Sequence, residues 1–462
     1  MSVVRSITTV FCAAADFAVR IAKNMPASIP SSAMLYTLPS RPSCWRTLVA
    51  AVGAATLLAC GDSSGPSGGN LDSLTISPSV VILAPGRSKQ LKVTGRTAAG
   101  AVAPVSGVTF SSSAPSIVSV SANGEVTAVG PLGTAAITAQ AAGMTATAEV
   151  DVENVTHPEG VVSGTATLGS AAHGLAISRD GVVYLATRDG VFRAELPDTT
   201  FTLVMPSRLA EAWDVKLSSD DTRLYVANLH RDSVLLIDVA TGNVLAGFRD
   251  VGIDGIARTP VALVVSKDGT RVYASVNTGG INVLDAETLA RMTGINVGTI
   301  FGGDIAFAMN RAGTRLYGSG ALFAGVSEID LTADTLVRFL DDDQLGDPSR
   351  QLKGVALSPD GSTLYVANIA ASVLDVVDVA TNIRQSVPLP RGGALGPYDV
   401  AMTPDGTQLY VTNGGLLQIL DRETVTIVKT LDLGTNLQHI AFTADGSTAL
   451  VVDAAGAVFF VK

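Results

Sequence analysis

Apolar and polar residues alternate along most of this chain in runs of five or six, which predicts short strands rather than helices. The stretch "KGVALSPDGSTLYVAN" (353–368) shows the unit: an apolar run, an Asp-Gly turn signal and a second apolar run. Asp-Gly between two such runs predicts a tight hairpin, because glycine accepts the positive φ of the turn. Six related phrases accompany it, at 173–187, 213–228, 261–277, 305–320, 398–413 and 439–453. Their turn residues are Gly181, Asp221, Gly269, Gly313, Gly361, Gly406 and Gly446, about 44 residues apart on average. That period fits four-stranded propeller blades. In each unit a third strand follows, such as "SVLLIDVATG", and a fourth such as "IVKTLDLG".

One first-strand position reads Ala176, Lys216, Val264, Ala308, Ala356, Ala401 and Ala441. Small residues suit the narrow centre of a ring, and Lys216 departs from the rule. It shares a strand face with Asp214, so a local ion pair is expected. The last unit stops after three strands, and an unpaired strand lies at 160–169. That strand is expected to complete the last blade and close the ring, removing exposed edges. The fold class read from the pattern is all-β, a seven-bladed β-propeller preceded by a small Ig-like β-sandwich. "YVTN" (410–413) and "YVAN" (225–228, 365–368) resemble the YVTN-repeat propeller family, across residues 155–462. Its surface-layer and lactonase-like members imply a seven-bladed propeller and bring no catalytic motif with them.

Residues 71–152 alternate differently, with short strands separated by Pro-Gly, Asn-Gly and Leu-Gly turns. Even spacing of Val118, Val120, Val126, Ile137 and Val150 predicts the two-layer core of a sandwich. "LAPGRSKQL", "SSSAPSIVSVSANGEVTAVGPLGTAAITA" and "TATAEVDV" resemble the bacterial Ig-like group 2 domain, with Phe110 where that family usually has Trp. The resemblance implies a spacer or adhesion module at a cell surface.

Ahead of the sandwich, "TLVAAVGAATLLA" (47–59) is too short to span a bilayer and follows Arg41 and Arg46. It ends in Leu57-Leu58-Ala59-Cys60, which resembles a bacterial lipobox. Residues 1–59 are therefore expected to be a lipoprotein signal peptide, with Met34 an alternative start. Cys60 is the expected lipidation site, and 60–70 a flexible tether. Export and attachment to the cell envelope, at the outer membrane, follow. No Asp stands after Cys60 to signal inner-membrane retention.

Composition narrows the functions. Hydrophobic content of 47% excludes a disordered chain, and a net charge of −10 without a basic stripe argues against nucleic-acid binding. Cleavage before Cys60 would take the charge to −14, so the membrane is held through acyl chains rather than headgroups. A monomer is expected, with an envelope protein or polysaccharide as partner. No dinucleotide or phosphate-loop fingerprint and no nucleophile elbow is present.

Two aligned positions just ahead of the first strands are expected to ring the channel mouth. The outer row is His173, Trp213, Val261, Ile305, Lys353, Tyr398 and Gln438, and the inner row Gly174, Asp214, Ala262, Ala306, Gly354, Asp399 and His439. His173, Asp214, Asp399 and His439 come from consecutive blades of a closed ring. Two imidazoles and two carboxylates there suit a divalent metal or acid–base work. Trp213 and Tyr398 suit stacking on a sugar. The competing reading is a wet channel lined by ordinary polar side chains. No cofactor is expected beyond a metal at this mouth. Two functions stand open: an envelope lipoprotein presenting a binding or scaffolding propeller, and a lactonase-type hydrolase using the mouth cluster. "DDDQLGDPSR" (341–350) lacks the ligand spacing of a calcium loop and reads as a solvated acidic loop.

Overall fold

The computed structural model describes residues 71–206, 211–229, 231–249, 258–277, 280–297, 306–320, 325–340, 351–393, 395–434 and 436–462. Cys60, the signal segment, the tether, Ile305 and the 341–350 loop lie outside them. Every regular element among these residues is a strand. No helix among them is long and apolar enough to cross a membrane.

Residues 71–152 form the sandwich. One four-stranded sheet pairs Val80–Leu83, Met144–Val152, Gly133–Ala141 and Thr109–Ser112, and two three-stranded sheets complete the unit. Val118, Val126, Ile137 and Val150 are fully buried, and Val120 packs against them half-buried. Phe110 packs on the same core.

Beyond it, seven four-stranded sheets form the blades. Their innermost strands are Ala172–Ile177, Ala212–Leu217, Pro260–Val265, Ala306–Met309, Leu352–Leu357, Pro397–Met402 and Leu437–Phe442. Each lies beside the next, and the seventh lies beside the first. Val162–Thr167 pairs antiparallel with Ala457–Val461, so the strand before the first blade completes the last one. The ring closes as the pattern predicts.

The repeated phrase now has physical reasons. All seven turn positions have positive φ, from 60° at Asp221 to 83° at Gly181, and only Asp221 is not glycine. The aspartate just before the turn glycine is a hub: Asp360 Oδ1 accepts from the Ser358 and Ser362 hydroxyls and the Ser362 N–H. In the second blade the Ser218 and Thr222 hydroxyls hold Asp220 down to about 2. The tyrosine is a fastener between blades. Tyr225, Tyr273 and Tyr410 are buried, and their hydroxyls donate to Ala286 O at 2.8 Å, Asp334 Oδ1 at 2.9 Å and Pro158 O at 2.9 Å. Each acceptor belongs to the neighbouring blade or, for Pro158, to the closing segment. The asparagine ends the strand: Asn228 and Asn368 are buried and accept turn N–H groups from Arg231 and Ala371.

The sandwich packs on the propeller face made by these turns. Arg311 reaches Asp151 at 2.7 Å and Glu153 at 2.6 Å, and Lys89 pairs with Glu423. In the connecting segment, His157 Nδ1 lies 2.7 Å from Asp405 Oδ2, and the Thr156 N–H donates to Asp445 O. The channel end that carries the candidate side chains is the opposite one, at the start of the innermost strands.

Candidate functional site at the channel mouth

Innermost strands are sheet edges, so their channel-side N–H groups have no ladder partner and need other acceptors. At the start of these strands the register slips by one residue. Ala172 pairs with Thr187 but Gly174 with Ala186, leaving His173 extra, and the same slip occurs at Trp213, Val261 and Tyr398. Such bulges re-aim a side chain. The two aligned rows therefore converge on a cavity of about 390 Å³. His173, Trp213, Asp214, Asp399 and His439 line it, and Tyr398 sits on its rim against His439. The structure thus brings the expected residues to one place.

The contacts there give the two aspartates a specific task. Asp214 Oδ2 accepts the Leu263 N–H of the next blade at 2.8 Å, and its Oδ1 accepts the Val215 N–H at 2.9 Å. Asp399 repeats this with the Ile440 N–H at 3.0 Å and the Val400 N–H at 2.9 Å. Each carboxylate also packs over a glycine of the preceding blade. A Cβ on Gly174 would meet Asp214 Oδ1 at 2.6 Å, and one on Gly354 would meet Asp399 Oδ1 at 2.3 Å. Each aspartate therefore links three blades. Lys216 Nζ lies 2.7 Å from Asp214 Oδ1, the ion pair expected from their shared face.

The rings are also engaged. His173 stacks on Trp213, centroids 4.2 Å apart and planes within 12°. Tyr398 meets the His439 ring edge-on at 5.5 Å, and Lys353 Nζ lies 5.2 Å from the Tyr398 centroid. Lys353, Tyr398, His439, His173 and Trp213 belong to the fifth, sixth, seventh, first and second blades, so they form a belt over five consecutive blades. One ring face of Trp213 and one of Tyr398 are thus occupied from within the protein, which leaves less for stacking on a sugar than the sequence led us to expect.

His439 Nδ1 stands 3.9 Å from Asp399 Oδ2. Burial pushes the Asp399 carboxyl up to about 7, against the opposing pull of the Ile440 and Val400 N–H groups, and 16% of its side chain stays exposed. Among the described residues, no group of three or more His, Cys, Asp and Glu is arranged to hold a metal ion.

The raised Asp399 gives a pH signature. Between its unfolded value near 4 and its folded value the native state binds more protons, so this group's contribution to stability falls as pH rises from about 4 to about 7. Asp399→Asn removes that slope but offers only one acceptor to two N–H groups, a loss of about 1–3 kcal/mol. Urea melts should show the variant less stable at pH 4, with the gap closing or reversing by pH 8. A gap that widens with pH would mean that the ionised carboxylate is the stabilising form.

Sequence reasoning missed the glycine–aspartate pairing and the part played by Lys353. The signal was present in the inner row, where Gly174 precedes Asp214 and Gly354 precedes Asp399 in ring order.

Residues 70–152 match the family model of the bacterial Ig-like domain (group 2). No curated protein matches the chain. Among solved structures, a chain of hydrazine synthase from Kuenenia stuttgartiensis aligns with a TM-score of 0.54 at 16% identity, over 66% of this chain and 99% of that one. A chain from the crystal structure of the mitotic checkpoint complex aligns with a TM-score of 0.55 at 16% identity, over 66% of this chain and 93% of that one. At these identities the likeness concerns the fold.

Proposed function

We propose that this chain is an exported cell-envelope lipoprotein, held at the outer membrane through Cys60, that presents its channel mouth as a binding surface. In this reading the propeller is of the YVTN-repeat kind, and the Ig-like unit is a spacer docked against the face opposite the mouth. The observation that carries the reading is the use of Asp214 and Asp399. Both carboxylates are committed to backbone N–H groups and cover glycines of the preceding blade. The mouth is thereby rigid, framed by the belt from Lys353 to Trp213.

Orientation supports display. Leu71 opens a seven-residue strand whose far end, Ser77, leads to Ser79 beside Asp360 of the propeller. In this reading the Ig-like unit stands between the membrane and the propeller, so the mouth, at the opposite end, is turned away from the membrane.

The partner that fits is an envelope polysaccharide or protein engaging Lys353 and the accessible edges of Trp213 and Tyr398. Envelope polysaccharide immobilised on beads should retain the wild type and lose most retention of Trp213→Ala and Lys353→Ala. Asp360→Ala, on the turn face, should be retained like the wild type. Equal retention of all four proteins would remove the mouth from the account.

The hydrolase reading has one observation in its favour, the near-neutral Asp399 carboxyl beside His439. Both oxygens of that carboxyl already accept N–H groups, so a base role would first have to release a blade contact.

A further inference from the structure

We infer a second binding site, for a small organic carboxylate with an apolar body, in the cleft between the Ig-like unit and the turn face of the propeller. The cleft has a volume of about 390 Å³, within the range of small-molecule sites, which often form at domain interfaces. It is independent of the mouth and lies at the other end of the propeller.

Its apolar wall departs from the usual pattern of a sandwich strand. Val81 and Leu83 of Val80–Leu83 point into the core and are 6% exposed each. The alternate face of a sandwich strand is ordinarily polar. Here it carries Val80 and Ile82, both half-buried, and with Ala84 they line the cleft. Pro359 of the propeller lines it as well.

Charge within the cleft is unevenly committed. Asp405 Oδ1 accepts from the Thr403 and Thr407 hydroxyls, and its Oδ2 meets His157. Asp421 Oδ1 accepts from the Thr424 N–H and hydroxyl, and Glu423 pairs with Lys89. The guanidiniums are less fully matched. Arg422 approaches Glu423 Oε1 only to 3.9 Å, neighbours the Tyr365 hydroxyl and Asp360, and keeps a buried Nε without a hydrogen-bond partner. The Arg87 side chain makes no ion pair among the described residues, yet it lines the same cleft. Engaged carboxylates, an Arg87 side chain without an ion pair, an Arg422 guanidinium with an unpartnered Nε and an apolar wall together select an anionic headgroup on a hydrophobic body. A carboxylate suits the planar guanidinium fork.

The test uses the full chain carrying Cys60→Ser, titrated with octanoate, 1-octanol and inorganic phosphate by calorimetry. Saturable octanoate binding is expected, with little response to octanol or phosphate. Arg422→Gln and Arg87→Gln should each weaken it about tenfold or more, since each removes a charge-assisted hydrogen bond to the carboxylate. Arg87 is exposed, so its variant tests the site even if Arg422→Gln unfolds. Lys353→Gln at the mouth should leave octanoate binding unchanged, which separates this site from the proposed display surface. Absent binding, equal binding of octanol, or octanoate binding indifferent to both arginine variants would overturn the inference. Phosphate binding as strong as octanoate binding would overturn the assigned ligand class.

Discussion

Gly354→Ala should destabilise the propeller strongly, by about 3 kcal/mol. The new Cβ would sit 2.3 Å from Asp399 Oδ1, 2.6 Å from Asp399 Cα and 2.7 Å from the Val400 nitrogen. A side-chain oxygen alone can swing aside, but the Cα and the nitrogen are backbone and cannot. Relief therefore requires the fifth and sixth innermost strands to part. That movement strains the hydrogen bonds from the Val400 and Ile440 N–H groups to Asp399. Gly174→Ala repeats the conflict more mildly, at 2.6 Å from Asp214 Oδ1 and 2.9 Å from its Cα. In the third blade, whose inner-row residue is Ala262, the position already carries a Cβ and its next-blade neighbour is Ala306 rather than aspartate. Thermal unfolding should rank Gly354→Ala below Gly174→Ala, with Ala262→Gly lowered only by the roughly 0.5–1 kcal/mol that a glycine inside a strand costs. Wild-type behaviour of Gly354→Ala would mean that the aspartates do not fasten neighbouring blades.

Much of this was legible because it repeats. Seven copies of one phrase reported the hairpins, their positive-φ turns and the small residues of the innermost strands. The missing fourth strand of the last unit reported the ring closure. Each of these leaves a periodic trace in apolar pattern or turn chemistry. The mouth was legible only as a set of aligned positions: His173, Trp213, Asp214, Tyr398, Asp399 and His439 do converge. What they do there was not. The one-residue register slips at His173, Trp213 and Tyr398 come from strand pairing across space and leave no mark in the local pattern. The tasks of Asp214 and Asp399 depend on glycines a full blade earlier, some 40 to 45 residues upstream. The docking of the Ig-like unit rests on pairs such as Arg311 with Asp151 and Glu153. Such pairs have no spacing rule, so nothing in the sequence connects those residues.

The largest change in behaviour is expected from Cys60→Ser, which should move the protein from the membrane fraction to the soluble periplasmic or medium fraction. In the proposed reading the acyl chains at Cys60 supply the attachment, because the acidic chain, −10 overall, should be repelled by anionic headgroups. The exposed apolar residues of the outermost strands, such as Val244, Leu245 and Val428, are scattered around the blades rather than gathered into one membrane-facing patch. Without the acyl chains little remains to hold the protein at a bilayer. Fractionation followed by immunodetection reads the outcome directly. Persistence of Cys60→Ser in washed membranes would defeat the anchor, and the spacer role of the Ig-like unit with it.

The central claim is that the imidazoles and carboxylates of the mouth hold blades and frame a binding surface rather than a metal-assisted hydrolytic centre. Elemental analysis of the full chain after dialysis against metal-free buffer, beside His173→Ala and His439→Ala, tests it most directly. The account predicts well under one equivalent of any divalent metal per chain, alike in all three proteins. One equivalent in the wild type, lost in either histidine variant, would contradict it and make the mouth a metal centre.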